Sequence, residues 1–581
     1  MAGLFLVSTR DPQFAASALA GARRQFALHG FSGLSEHALP GWRLLHAPYI
    51  LGGPESLLVR GDDLVAVAGT LTCDGKFGRA ALEALLDMVD RTDWSRIGGQ
   101  FVALVRSRGR TLLFTDYFGA FQLFHDAERR LFSTSLLSAV AALPKVSFDP
   151  QGVYEFAFNV VPIGDDTVFS ELKMLGPDKV AELGVEGVAL HDAAKPLPEA
   201  PRAMPELERL AVHRERLLSA VEHHADEFAG RIFCPLSGGL DSRLVLAALR
   251  ARGVMPSLYV YGGPESADVA IGREIAAGEG VAIDWLDKEA WRDVPPDAFP
   301  EQVEANFHAY DGLPNYGELF ENGANAFARE ARHAGGALSV SGGCGEVYRN
   351  FFFLPNRSLS AAAVARTFFA RYAKGDVTEA FDERAFLRAI EDKILAALGR
   401  PGFRGQLPRP LIEQVYPRVR CRALFGREIS LEARVGPYLM PFLDHHIAAE
   451  AMTLPLALKN AGRFEAALLN AIDPRLASYP SAYGHDFTGP PSAAHRRAEF
   501  LTRIRPIALR QRSYALRRRM GPVADEHGGL LSPDFMGRVV DLEFPAMRHF
   551  FRIDRIGDSS MMRRIANLEY LAAKLGSKLA A

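Results

Sequence analysis

The residues best suited to chemistry are Ser237, Gly238, Gly239, Asp241 and Ser242, in the run Ser-Gly-Gly-Leu-Asp-Ser at 237–242. A compact apolar run, IFCPL, precedes them, and a helical run, RLVLAALRARG, follows without a break. A strand, a small-residue turn and a helix start place several free backbone N–H groups around one point, and the helix dipole adds partial positive charge there. Such a turn is an anion cradle. Two glycines let phosphate oxygens approach the main chain, the serine hydroxyls add donors, and Asp241 can hold a divalent cation that bridges phosphates. The chemistry suggested is binding of a nucleoside triphosphate. The spacing is not G-x-x-x-x-G-K-[ST], and no G-x-G-x-x-G opens a helix here, so ordinary P-loop and dinucleotide sites are excluded. The alternative is a tight strand-to-helix turn whose glycines serve packing alone.

The elements that must position this turn follow from periodicity. From Arg231 onward, compact apolar runs (IFCPL, SLYVYG, VAIDWL, ALSVS) alternate with amphipathic stretches, the signature of a parallel sheet with helical crossovers. The fold class is α/β. From Leu64 to about Leu143, short alternating runs (LVAVAGTL, FVALVRSRG, TLLFTDYFGAF, LFSTSL) predict antiparallel strands, with Arg108-Gly109-Arg110 as a hairpin connection. The Pro-rich stretch KPLPEAPRAMP, 195–205, predicts a linker. After about Ala361 the spacing is mostly helical, and the closing run MMRRIANLEYLAAKLG is expected to pack back onto the second part.

Composition narrows the class further. The chain has 581 residues, 67 Lys+Arg against 69 Asp+Glu, and a formal net charge of -2, so no global field draws it onto nucleic acid or an anionic membrane, and any polyanion site must be local. Cys73, Cys234, Cys344 and Cys421 are widely spaced, with no C-x-x-C pair, which argues against a zinc site or a disulfide framework. No basic n-region opens the chain, and no uncharged apolar stretch approaches membrane-spanning length. A cytoplasmic protein without a membrane span is expected.

The S-G-G-x-D-S loop resembles the pyrophosphate loop of ATP pyrophosphatases, and its surroundings resemble asparagine synthetase. Gly99-Gln100-Phe101, Asp116-Tyr117-Phe118-Gly119 and Phe132-Ser133-Thr134-Ser135 are similar to the glutaminase-like domain of that family. Val161-Pro162-Ile163-Gly164 through Leu175-Gly176-Pro177 resembles the stretch joining the domains, and Pro441-Phe442-Leu443-Asp444-His445 its P-F-L-D-H segment. The resemblance implies an N-terminal glutaminase-like αββα sandwich over 1–200. It also implies a doubly wound, parallel-sheet pyrophosphate-loop domain with a helical C-terminal part over 206–581. It implies an ATP- and Mg²⁺-dependent ligase that adenylates a carboxylate and then forms an amide. The turn Ser341-Gly342-Gly343-Cys344-Gly345-Glu346 looks like the family's second metal-binding loop, so Asp241 and Glu346 are the expected Mg²⁺ ligands. The alternative for Glu346 is a helix-start carboxylate complementing the dipole. Asp268 resembles a position near the nucleotide, or else caps its own helix. Arg243 could meet a phosphate or stand exposed.

The sequence also departs from the family. Working glutaminases there use an N-terminal cysteine; here Met1 precedes Ala2-Gly3-Leu4 and the first cysteine is Cys73, so the amine is expected from ammonia or another substrate. Gly343 stands where the family often has Glu or Tyr near the acceptor. The stretch YPSAYGHDFTGPP, 479–491, has Gly484 and His485 where lysines are usual. A degenerate nucleotide-binding scaffold is therefore the alternative function. The acceptor could be aspartate, a precursor peptide or a sugar acid. The pairs His223-His224 and His445-His446 lack the i, i+4 spacing of a helical metal site and read as packed or solvated. Between Arg496 and Arg519 lie nine arginines and one acid, Glu499, which reads as a solvated face or as a dock for an acidic partner.

Overall fold

The computed structural model describes residues 3–88, 92–288, 290–315, 319–510, 513, 516 and 528–580. It is a mixed α/β fold with both antiparallel and parallel sheets. One six-stranded sheet runs in the order Leu172–Met174, Phe124–Asp126, Leu131–Ser133, Gly3–Ser8, Trp42–Ala47, Ser35–Leu39. A second runs Gly187–Asp192, Lys179–Gly184, Arg110–Thr115, Ile97–Ser107, Asp63–Cys73, Leu57–Arg60. The pairings within both are antiparallel.

Period-two patterning sorts the second sheet's residues into two cores. Leu64, Ala66, Ala68, Val102, Leu104 and Leu113 join the main core, whereas Val65, Val67, Phe101, Ala103, Val105 and Phe114 pack with Leu82, Leu85 and Leu86 of the helix Gly78–Leu86. The expected hairpin is present: Ser107 faces Arg110, and the two loop residues, Arg108 and Gly109, have φ of 51° and 78°, as a two-residue turn matching strand twist requires. The run TLLFTDYFGAF ends as strand at Thr115. There Asp116 turns the chain by accepting the N–H groups of Phe118, Ala120 and Phe121 at 3.1, 3.1 and 2.8 Å.

The parallel sheet has the order Ile283–Leu286, Ser257–Tyr261, Ile232–Pro235, Leu338–Val340, Tyr438–Leu439. The chain thus starts in the middle strand, moves to one edge, then returns to the other side. The reversal falls between Ile232–Pro235 and Leu338–Val340, neighbours that pair in parallel. Above the carboxyl ends of two such strands lies the crevice where open α/β sheets bind ligands.

The stretch 195–205, expected as a linker, carries no helix or strand and is docked on the protein. Lys195 is 4% exposed, its ammonium donates to the Asp116 carbonyl at 2.7 Å and lies 4.2 Å from the Trp94 ring centre, and Leu197 is buried. The closing helix, Ser559–Leu575, reaches the first part of the chain as well as the second. Arg564 Nε donates to the Ala157 carbonyl at 2.8 Å, Tyr570 donates to Glu304 at 2.5 Å, and Lys578 donates to the Ala141 carbonyl at 2.7 Å.

Candidate functional site

The strand Ile232–Pro235 feeds through 236–239 into the helix Leu240–Ala251. Gly239 is the N-cap residue, in extended conformation, and no side chain caps this helix. The turn is knitted by its own polar groups. Ser237 N–H donates to Ser242 Oγ at 3.1 Å, Gly239 N–H to Ser237 Oγ at 3.3 Å, and Gly238 N–H to Asp268 Oδ1 at 2.8 Å. Asp268 thus neither caps its own helix, whose N-cap is Ser266, nor stands free. Its carboxylate occupies one donor of the loop, as expected of an anion cradle and in competition with phosphate. The two glycines differ. A Cβ on Gly238 would meet Ile271, Ala482 and Asp268 at 3.0 to 3.1 Å, whereas on Gly239 its nearest neighbour would be Ser237 Oγ at 3.5 Å.

The second glycine-rich turn follows Leu338–Val340 and packs directly on the first. A Cβ on Gly342 would lie 2.8 Å from Ser242 N, and one on Gly345 would overlap the Asp241 carboxylate. Both glycines are therefore required by close approach. Cys344 takes a left-handed φ of 68°, and burial pushes its thiol well above the usual range. A Cβ on Gly343 would meet the Met440 methyl at 2.8 Å and the Phe425 ring at 3.0 Å, so a side chain there requires the flexible Met440 end to move.

Asp241 and Glu346 are thereby brought onto adjoining turns, and each already has a partner: Arg349 donates to Asp241 Oδ1, and Tyr416 O–H donates to Glu346 Oε2. Arg349 also pairs with Glu465 at 2.8 Å and donates to Tyr483 Oη at 3.2 Å. Burial opposes its charge, but Asp241, Glu465 and Glu346 outweigh that and hold its pKa well above the ordinary value. Glu465 is fully buried; burial pushes its carboxyl well up, Arg349 pulls it back, and Asp241 and Glu346 add to the rise. The centre is one guanidinium among three carboxylates.

A cavity of about 430 Å³ opens beside it, walled by Leu240, Glu346 and Arg349 on the loop side and by Tyr483, His485, His495 and Glu499 from a later segment. His485 reaches this cavity, with its ring Nδ1 donating to the Tyr483 carbonyl at 3.1 Å. Lys459, also on the wall, is committed elsewhere: it donates to the Val347 carbonyl at 2.8 Å and pairs with Glu413 at 3.0 Å.

Among the described residues, no cluster of three or more His, Cys, Asp or Glu is arranged to hold a metal alone. Hard carboxylate oxygens from Asp241 and Glu346 suit Mg²⁺, which usually takes one or two protein carboxylates and completes its shell with phosphate oxygens and water. The residues fit the ion in that way only.

Arg243 corrects both of its expected roles. It is fully buried, and its guanidinium donates to the carbonyls of Tyr479 at 3.1 Å and of Pro480, holding the 476–480 segment under the loop. His224 and His445 are packed, against Phe77 and Tyr117 respectively. Of the nine arginines between 496 and 519, Arg512 and 517–519 lie outside the described residues. Sequence reasoning missed Arg349, Tyr416 and Glu465, which belong to no local motif, and passed over Tyr483 within the 479–491 stretch.

No protein-family model and no curated protein matches the chain. Among solved structures, a glutamine phosphoribosylpyrophosphate amidotransferase from B. subtilis, complexed with ADP and GMP, is 10% identical. It covers 50% of this chain and 91% of its own, with a TM-score of 0.24. A structure described as the allosteric regulatory enzyme of purine biosynthesis is 11% identical over 49% of this chain and 80% of its own, again with a TM-score of 0.24. Overlap of that quality does not discriminate between chemistries.

Proposed function

We propose that the chain is an ATP-dependent, AMP-forming carbon–nitrogen ligase of the asparagine synthetase type. The observation that carries this reading is the interlock of two glycine-rich turns at the point where the strand order reverses. It carries Asp241 and Glu346 on two turns in contact, with Glu346 on the wall of the 430 Å³ cavity. ATP with Mg²⁺, when bound, supplies the electrophilic α-phosphate and neutralises charge on the departing pyrophosphate. The chain's own part is to position and to shield. Backbone N–H groups around Gly239 and the hydroxyls of Ser237 and Ser242 hold phosphate oxygens, while Asp241 and Glu346 hold the cation. A substrate carboxylate attacks the α-phosphate to give an acyl-adenylate, and an amine then displaces AMP to form the amide. Holding both substrates in one cavity supplies proximity, and its walls limit access of water to the activated acyl group.

In this reading residues 1–200 are a glutaminase-like αββα unit without its nucleophile, and 206–581 the ligase unit. Cys73 is no substitute, because it is fully buried and burial pushes its thiol to about 11. Ammonia or an amino group on another molecule is then the amine.

A second reading, a degenerate nucleotide-binding scaffold, is favoured by one observation: Asp268 already takes the Gly238 N–H and Arg349 already takes Asp241. Incubation with ATP, Mg²⁺ and candidate carboxylates separates the two. Substrate-dependent AMP and pyrophosphate support the ligase, and ADP as the sole product contradicts it. Retained Mg·ATP binding with no turnover of any acceptor moves the assignment to the scaffold.

A further inference from the structure

The helix Ala493–Ile504 has two unlike faces. His495, Ala498, Glu499 and Thr502 line the cavity, and at about 100° per residue these positions share one side of the helix. On the other side Phe500, Leu501 and Ile504 are 49%, 49% and 54% exposed. No residue of this helix is buried. Arg496 and Arg497 are exposed beside the apolar stripe, as is Arg505 just past the helix end, and the Arg503 guanidinium lies 5.6 Å from the Phe500 ring centre. The helix is a roof whose inner side belongs to the cavity and whose outer side is apolar and cationic.

We propose that this outer side docks on an anionic lipid bilayer, with Phe500, Leu501 and Ile504 at the acyl boundary and the arginines at the level of the lipid phosphates. Charge points to such an occupant. The whole chain has a formal net charge of -2, yet this roof exposes Arg496, Arg497 and Arg505, while the half-buried Arg503 pairs at 3.6 Å with the single acid, Glu499, which faces inward. The attraction is therefore local and orients the molecule with the roof toward an anionic surface. All three exposed cations are arginines, whose planar fork matches phosphate oxygens. Shape separates a bilayer from a peptide. An amphipathic peptide helix docks into a groove, whereas here the apolar stripe is itself one side of a helix, with Phe500, Leu501 and Ile504 about half exposed, and a planar interface accepts such a stripe flanked by cations. Arg512 and 517–519 form no part of the site. The proposal stands whether or not the cavity serves the ligase reaction.

The test is co-sedimentation of the full chain with vesicles of phosphatidylcholine alone and of phosphatidylcholine mixed with phosphatidylglycerol. Binding to the mixed vesicles is expected to be about tenfold tighter, and to weaken as salt is raised. F500S/L501S/I504S and, separately, R496E/R497E are expected to abolish it with an unchanged melting temperature, since all five side chains are exposed. Absence of binding to anionic vesicles overturns the proposal. So does binding that survives F500S/L501S/I504S, which would mark diffuse charge attraction. Capture of labelled poly-glutamate through Arg496 and Arg497 without vesicle binding would assign the face to an acidic protein instead.

Discussion

Replacing Gly239 by alanine separates a phosphate cradle from a turn that merely packs. The added methyl would sit 3.5 Å from Ser237 Oγ, an ordinary contact, and no other atom comes nearer. The backbone, φ -87° and ψ 178°, is open to any residue. Alanine is a poorer N-cap than glycine by ~0.5–1 kcal/mol, and the stiffer unfolded chain returns ~0.4–1 kcal/mol. Stability should therefore change by less than about 1 kcal/mol, a melting shift within about 4 °C. A phosphate oxygen resting on this turn, however, would be displaced by about 1 Å, which costs on the order of 100-fold in rate, or about 2.7 kcal/mol. The assays are the rise in melting temperature with Mg·ATP and the release of AMP and pyrophosphate. Gly239→Ala should melt like the parent and lose both responses. If it keeps ATP-dependent turnover within about twofold, phosphates do not rest on Gly239 and the cradle argument fails.

Gly345→Ala drives a methyl into the Asp241 carboxylate, so it should cost ~1–3 kcal/mol in urea denaturation and also abolish the Mg·ATP response; an unaffected variant would show that the two turns are not interlocked. Arg349→Met removes the donor shared by Asp241 and fully buried Glu465 and should cost ~1–3 kcal/mol. Adding Glu465→Gln should recover part of that, and an additive double variant would refute the coupling. Burial lowers the histidine pKa to about 4 at His29, His46 and His224 and to about 3 at His213. Protons thus bind the unfolded chain first, so stability present above pH ~6.5 should fall on acidification toward pH 4, by up to ~1.4 kcal/mol per pH unit for each histidine. Equal urea midpoints at pH 7.5 and 5.5 would contradict it.

How much was legible in the sequence depends on how local the cause is. IFCPL, SLYVYG, VAIDWL and ALSVS are strands where expected, because short apolar runs bounded by small residues and turns suit buried parallel strands. Tyr438–Leu439 escaped notice because two residues show no period. Gly3–Ser8 escaped because all six residues are buried and do not alternate. The resemblance implied that Asp241 and Glu346 share a site; what the structure brings into contact is the two turns that carry them, through the absent Cβ atoms of Gly342 and Gly345. Arg349 and Glu465 were not legible, since only tertiary packing joins a loop arginine to a glutamate on the helix Arg463–Ile472. The exposed reading of Arg243 failed because pattern treats a helix cation as solvent-facing, whereas backbone carbonyls at 479 and 480 accept its guanidinium indoors; Lys195, for which pattern sets no expectation, is held likewise by the carbonyls at 115 and 116.

Lys578 closes on the carbonyl of Ala141 across 437 positions of chain, and the helix before it covers the segment around Ala157. On a ribosome adding about 5–20 residues per second, that partner arrives on the order of half a minute to a minute and a half after the surface it covers. Throughout that wait the nascent early half keeps an uncovered greasy flank. Expression yield should thus respond to holdase chaperones and to translation speed more sharply than finished-protein stability would suggest.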